Sequence, residues 1–199
     1  DYDRAVKDVL PDVIADLLHL FTGRRYVVKQ LLNHEFVLSG TKVVDFLFEV
    51  KTPAGVRYLH VEVQTGNDPT MHKRMMFYGA LIYDKYGQMP MQMVLYIGPD
   101  EPTFHAADVN PLSAYSYTVL DISTLEADAI FSLGTPAAYV LSLLAHTDDE
   151  QELCKRVWKG VQAQAPDREQ VTRYLQTAVT LSRLRPRYWF MPELPFPDP

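Results

Sequence analysis

Two acidic residues sit inside the two most strand-like runs of the chain, and any fold must accommodate them. Val43 to Val50 (VVDFLFEV) and Val56 to Thr65 (VRYLHVEVQT) flank Lys51-Thr52-Pro53-Ala54-Gly55. Runs rich in Val, Phe, Tyr and Leu predict strands, and the short Pro- and Gly-bearing segment predicts a hairpin. Pro suits the second position of a type I turn, and Gly the fourth. Strand side chains alternate between faces. Val44, Phe46, Phe48 and Val50 therefore share one face, with Asp45 on the other. Leu59, Val61 and Val63 share a face, with His60, Glu62 and Gln64 opposite. A Thr52–Gly55 loop sets Lys51 against Val56, and the same count sets Asp45 against Glu62, with Cβ atoms about 5 Å apart.

Like charges placed directly opposite destabilise a strand pair, and burial adds several kcal/mol if no partner is supplied. Relief can come from a raised carboxyl pKa, a basic neighbour or a bound cation. Two carboxylates with waters and substrate phosphates are a common way to hold Mg²⁺. An ordinary solvated sheet face, with both acids merely polar, is the alternative that the residues leave open. Gln64 could orient a water, and His60 lies two residues from Glu62 on the same face.

The neighbouring segments predict the rest of the sheet. Glu35-Phe36-Val37-Leu38 reads as a strand turned at Ser39-Gly40 into the Val43 run, giving three consecutive antiparallel strands. Tyr26 to Leu32 reads as a loop leading into a short strand or helix. Asp68 as N-cap and Pro69 at the first helical position predict a helix to about Tyr86, stopped at Gly87. Met71, Met75, Tyr78, Ile82 and Tyr86 form its apolar stripe. His72, Lys73 and Arg74 fall in its first turns, nearest Gln64. Cations there oppose the helix dipole, and their position makes sense if a DNA phosphate backbone passes the sheet end; a solvated basic turn is the alternative. Met91 to Ile97 is nearly all apolar, as in a strand buried on both faces, and the intervening helix implies parallel pairing with the hairpin. Tyr115 to Ile122 reads as one more strand. The first 22 residues are helical with a break at Pro11 and a stop at Gly23. Beyond residue 126, helices open at Thr135-Pro136, at a Thr147/Glu150 capping box and at Pro166, before an aromatic, Pro-rich tail from Tyr188 to Pro199.

Asp45, a hairpin, then Leu59-His60-Val61-Glu62-Val63-Gln64 and His72-Lys73-Arg74-Met75-Met76-Phe77-Tyr78 resemble the core of the PD-(D/E)XK nuclease superfamily. More specifically the chain resembles the recombination-promoting nuclease/putative transposase family, over roughly residues 1–149 at the level of element order. The resemblance implies an α/β fold with a restriction-endonuclease-like core (helix, three antiparallel strands, helix, strand) and a helical C-terminal extension. It implies a Mg²⁺-dependent DNA endonuclease, with Mn²⁺ as an alternative ion. Asp45, Glu62 and the backbone carbonyl of Val63 would hold the metal. Gln64 stands where the superfamily usually has Lys, as it does in other members, and supplies no positive charge. A further acid from the first helix is also implied, although Asp1, Asp3 and Asp8 there are accounted for by complementing the helix dipole. His72, Lys73 and Arg74 would meet DNA.

Composition sets bounds on these expectations. A chain of 199 residues, 47% apolar, can bury a real core. Residues 1–125 are expected to form the nuclease-like core, and 126–199 a helical extension packed on it. A net charge of −6 counts against broad nonspecific DNA binding. The single cysteine, Cys154, cannot form an internal disulfide. No run of 18 apolar residues and no signal-peptide pattern occurs, so a cytoplasmic protein with no membrane partner is expected. DNA is the expected partner, with homodimerisation open. The competing reading is a nuclease-fold module that binds DNA or protein without cutting.

Overall fold

The computed structural model describes residues 2–32, 35–38, 40–104 and 115–185, with residues 3, 35–38 and 40–43 described by their backbone alone. Along the chain run α1 (Tyr2–Lys7), α2 (Ile14–Thr22), β1 (Val27–Leu31), β2 (Glu35–Leu38), β3 (Gly40–Val43), β4 (Phe46–Thr52) and β5 (Gly55–Gln64). Then follow α3 (Met71–Tyr86), β6 (Met91–Tyr96), β7 (Thr118–Asp121), α4 (Ala127–Phe131), α5 (Pro136–Ser142), α6 (Glu150–Gln164) and α7 (Arg168–Ser182). They gather into two compact units, residues 25–121 and residues 1–24 with 122–199. The expected division after residue 125 lies close to the second of these boundaries, while the first 24 residues group with the C-terminal helices.

The sheet unit is an α/β arrangement with a mixed five-stranded sheet in the order β1-β4-β5-β6-β7. β1, β4 and β5 pair antiparallel, whereas β5, β6 and β7 pair parallel. The hairpin register is the one that the loop length predicts: Lys51 faces Val56 and Phe46 faces Val61. In the turn, the Thr52 hydroxyl accepts from the Ala54 N–H at 3.2 Å and donates to the Gly55 carbonyl at 2.9 Å. Gly55 has φ 107°, which a side chain would strain.

Helix α3 covers one face of the sheet. Tyr78 and Ile82 pack with Val44 and Leu47, while Met71 and Met75 pack with Val94, Tyr96, Phe104 and Tyr117. On the opposite face Phe46, Phe48, Val50, Leu59, Val61 and Val63 are all buried.

Three expectations need correction. The strand expected from Val43 to Val50 is broken: β3 ends at Val43, β4 begins at Phe46, and the chain bends at Asp45, so Val44 packs with Leu47, Tyr78 and Ile82 rather than sharing the face of Phe46, Phe48 and Val50. Among the described residues β2 pairs only with β3 in a separate ribbon, and the third antiparallel strand of the main sheet is β1, from the stretch that reads as strand or helix. The break follows from Asp45, whose N–H and carboxylate both bond to β5. Second, α3 begins at Met71 rather than Pro69. The Asp68 carboxylate accepts from both the N–H and the hydroxyl of Thr70, at 2.8 and 2.7 Å, and so closes a turn before the helix. Third, α6 is capped by Asp149, which accepts from the Glu152 N–H at 2.9 Å, and α7 by Asp167, in place of Thr147 and Pro166. Gly23 and Gly87 end α2 and α3 in the left-handed conformation, as expected.

In the helical unit α5 is buried along its length from Ala137 to Ser142. Thr135 caps it, accepting from the Ala138 N–H at 3.2 Å, with Pro136 in its first turn. Helix α6 turns Leu153, Cys154, Val157, Trp158 and Val161 inward, and α7 turns Val171, Tyr174, Leu175, Ala178 and Leu181 inward. Arg185 is buried and donates to the Leu144 carbonyl at 2.8 Å. The tail from Tyr188 to Pro199 lies outside the described residues. No helix among the described residues is long and apolar enough to cross a membrane.

Cys154 offers a check on this packing. Burial, with the charge of Glu150 added, pushes its thiol up to about 12. Native protein at pH 8 should leave a disulfide reagent such as DTNB unreacted, with one thiol appearing in 6 M guanidinium. Rapid native reaction would show that the α6 packing is wrong.

Candidate functional site

Glu62 sits near the C-terminal end of β5, where α3 begins, and its side chain is only 1% exposed. Oε1 accepts from His60 Nε2 at 2.9 Å and from the Asp45 N–H at 3.1 Å. Oε2 accepts from Arg74 Nη2 at 2.9 Å. The other arm of that guanidinium, Nη1, donates to Asp68 Oδ2 at 2.9 Å. One cation thus bridges two carboxylates, and among the three reliefs open to an acid in the sheet the basic neighbour is present. Burial alone would lower the Arg74 pKa, but the Asp68 hydrogen bond and the charge of Glu62 more than reverse it. Burial likewise pushes Asp68 up, and the Thr70 and Arg74 hydrogen bonds outweigh it and hold the carboxyl below its ordinary value. Burial and then the charge of Glu62 raise the Tyr78 phenol.

Behind Glu62 runs a chain of buried hydrogen bonds. Gln92 Nε2 donates to the Met75 carbonyl at 2.7 Å, which fixes the orientation of the amide. The same nitrogen lies 2.9 Å from His60 Nδ1, so that ring nitrogen accepts. The His60 proton is therefore on Nε2, facing Glu62. Gln92 Oε1 accepts from the Tyr115 hydroxyl at 2.6 Å. Parallel pairing sets His60 beside Gln92, and the Tyr78 ring meets His60 edge-on with centroids 5.5 Å apart. Gly79 makes room for this network: a Cβ there would fall 2.7 Å from Gln92 Oε1.

Asp45 is held differently from Glu62. The paired register ends at Phe46 and Val61, so Asp45 lies one residue beyond it, with its N–H bonded to Glu62 Oε1 at 3.1 Å. The bend, however, lets Asp45 Oδ2 accept from the Val63 N–H at 2.9 Å, a donor that a longer β4 would have paired. The structure thereby brings Asp45, Glu62 and the Val63 backbone to one corner.

Gln64 ends β5, half-buried, and among the described residues its side chain makes no hydrogen bond; its carbonyl accepts from the Ile97 N–H at 2.8 Å. Lys73 is exposed, and His72 lines a hollow of about 230 Å³ with Asn67, Asp68, Pro69, Thr103, Phe104 and Tyr117. Arg74 is turned inward to its two carboxylates, and among the described residues it is the one of the basic trio with an ion-pair partner. Asp1 and the side chain of Asp3 lie outside the described residues. Sequence reasoning missed Asp68 as an ion-pair partner, and it missed Gln92 and Tyr115 altogether. The one signal for Gln92 is a lone polar residue inside the apolar run of β6.

Among the described residues no group of three or more His, Cys, Asp and Glu side chains could hold a metal ion. Mg²⁺ asks for less: one or two carboxylates, with waters and phosphate oxygens completing the shell. Asp45, Glu62 and the Val63 carbonyl are hard oxygen donors and fit that requirement, provided that Arg74 yields Glu62 Oε2. No family model matches this chain, and no curated protein or solved structure does.

Two measurements test the network. In an isolated helix Gly→Ala stabilises by roughly 0.5–1 kcal/mol. Here Gly79→Ala should instead destabilise by about 1–3 kcal/mol in urea unfolding, because Gln92 is tied at both ends of its amide. The Asp68 carboxyl titrates lower in the fold than unfolded, so its charge stabilises above the unfolded pKa, and that stability is lost as pH falls through the folded pKa. The melting-temperature gap between wild type and Asp68→Asn should thus be widest near neutral pH and close below the ordinary carboxylate range.

Proposed function

We propose that this chain is a metal-dependent DNA endonuclease with a restriction-endonuclease-like core, of the kind implied by its resemblance to recombination-promoting nucleases. The observation that carries the reading is the 2.9 Å bond from the Val63 N–H to Asp45, which sets the Asp of the motif against the Glu62-Val63-Gln64 strand. The strand and helix order around it supports the same fold: antiparallel β1, β4 and β5, then α3, then β6 parallel to β5. Ligand sites in α/β sheets gather at the carboxyl ends of strands, where this corner lies.

Asp45, Glu62 and the Val63 carbonyl would hold Mg²⁺ or Mn²⁺. When bound, the ion supplies Lewis acidity toward phosphorus and an acidified water. The remaining roles fall to the chain itself. Gln64 stands beside this corner and orients the attacking water through its amide. It brings no charge to the transition state, so one electrostatic partner is lost relative to Lys. Lys73, exposed in the first turn of α3, holds a DNA phosphate without reading sequence.

A second reading is a nuclease fold that binds without cutting. It is favoured by the completeness of the Glu62 network, in which both oxygens already have donors.

Plasmid incubated with Mg²⁺ or Mn²⁺ decides between them. Wild type should nick or linearise it, Asp45→Ala should not, and Gln64→Lys should keep metal binding and cut at least as fast. If wild type cuts no form of DNA with either ion, the binding module takes the place of the enzyme. In either case Lys73→Ala should lower the salt dependence of DNA binding by about one phosphate contact.

A further inference from the structure

The buried Glu62 carboxylate has a division of labour between its two oxygens. Oε1 is committed inward, to His60 and to the Asp45 N–H. The His60 donor is locked in turn by Gln92, which is tied to Met75 and Tyr115, so this side of the carboxylate cannot turn without breaking several buried bonds. Oε2 alone faces a group that has a way out. The Arg74 side chain is 36% exposed, whereas that of Glu62 is 1% exposed.

A carboxylate buried this deeply needs a cation, because removing one partner of a buried pair leaves an uncompensated charge. Arg74 meets that need, but from an unfavourable place, the first turn of α3, where the helix dipole repels cations. What steadies it is Asp68, which takes the other arm of the guanidinium. Release of Oε2 therefore does not require Arg74 to leave: one arm stays on Asp68 while the other turns toward solvent.

We propose that Arg74 is a resident counter-ion for Glu62, which a divalent cation displaces from Oε2, so that the arginine and the metal compete for one oxygen. The proposal rests on the metal-dependent reading above. Arg74 acts as a positioning residue: its guanidinium, 2.9 Å from Oε2, supplies the countercharge and holds the carboxylate in place before metal arrives. Once displaced, its free arm faces solvent at the same corner as the metal ligands, ready for a phosphate oxygen. Entry of the ion is opposed by the arginine in the absence of an anion and favoured when DNA phosphate takes up the freed arm. Metal and DNA then bind with positive coupling.

Mn²⁺ titration by calorimetry, with no DNA present, tests this on wild type, Arg74→Gln, Arg74→Lys and Asp45→Ala. Arg74→Gln should bind Mn²⁺ at least about tenfold more tightly than wild type, because a positive charge within contact distance of the ion is gone. Its melting temperature should be lower without metal and should rise more when Mn²⁺ is added. Arg74→Lys, which keeps the charge but reaches one carboxylate at a time, should fall between the two. A readout on unaltered protein guards against a variant that does not fold. The side-chain Nε–H resonance of Arg74, assigned by its loss in Arg74→Lys, should shift on adding Mg²⁺. Where wild type binds the ion, a folded Arg74→Gln with unchanged or weaker Mn²⁺ affinity, or an Arg74 resonance that saturating Mg²⁺ leaves in place, overturns the competition while leaving the metal site standing. If wild type, Arg74→Gln and Arg74→Lys all fail to bind Mn²⁺, both the competition and the metal-dependent reading fall.

Discussion

The ion pair between Arg74 and Glu62 is the interaction on which the sheet unit depends. Glu62 lies beneath α3 on a strand hydrogen-bonded on both sides, where an unpaired carboxylate would cost several kcal/mol. The pair makes that burial tolerable and at the same time fixes α3 on the sheet. The guanidinium reaches Glu62 on β5 and Asp68 in the turn that leads into the helix, so strand end, turn and helix start are joined through one side chain. The apolar stripe of Met71, Met75, Tyr78 and Ile82 supplies the area, and the ion pair supplies the register.

The second organising constraint is the bend at Asp45. A straight Val43–Val50 strand would have extended the hairpin and left the Val63 N–H to a backbone carbonyl. Because Asp45 turns its own N–H to Glu62 and its carboxylate to Val63, the strand ends and a corner opens at the end of β5. The chemistry proposed for the chain belongs to that corner.

Much of this was legible in the sequence where the relevant contacts are local. Loop length alone set Lys51 against Val56, and period-two alternation put His60 and Glu62 on one face. The buried run at Met91 gave the parallel strand, and Gly23 and Gly87 marked two helix ends. Misplacement of basic residues against a helix dipole suggested a DNA phosphate beside them, whereas the structure gives Arg74 two carboxylates of its own chain. Which anion could not be read, because Glu62 and Asp68 meet Arg74 only through the docking of α3. The helix start was misjudged for a related reason: Asp68 can cap a helix or close a turn with equal ease, and the pull of Arg74 on its other oxygen is a tertiary matter. Gln92 and Tyr115 lie still further from Glu62 along the chain, and no periodicity links them. The placement of β1 beside β4 was open for want of any turn signal between them.

The mixed sheet also has a consequence for the order in which the unit can assemble. The β4–β5 hairpin closes across a turn of two residues, Pro53 and Ala54, so its loop entropy is small and it can form early. β6 and β7 pair in parallel and must wait for the chain between to cross over. During that interval Glu62 remains hydrated, and it loses its water only as α3 settles and Arg74 arrives. Desolvation of the carboxylate is therefore a late event, tied to docking of a single helix. An error in α3 would be felt as a charged strand that cannot be covered, which favours reopening over a collapsed, wrongly packed sheet.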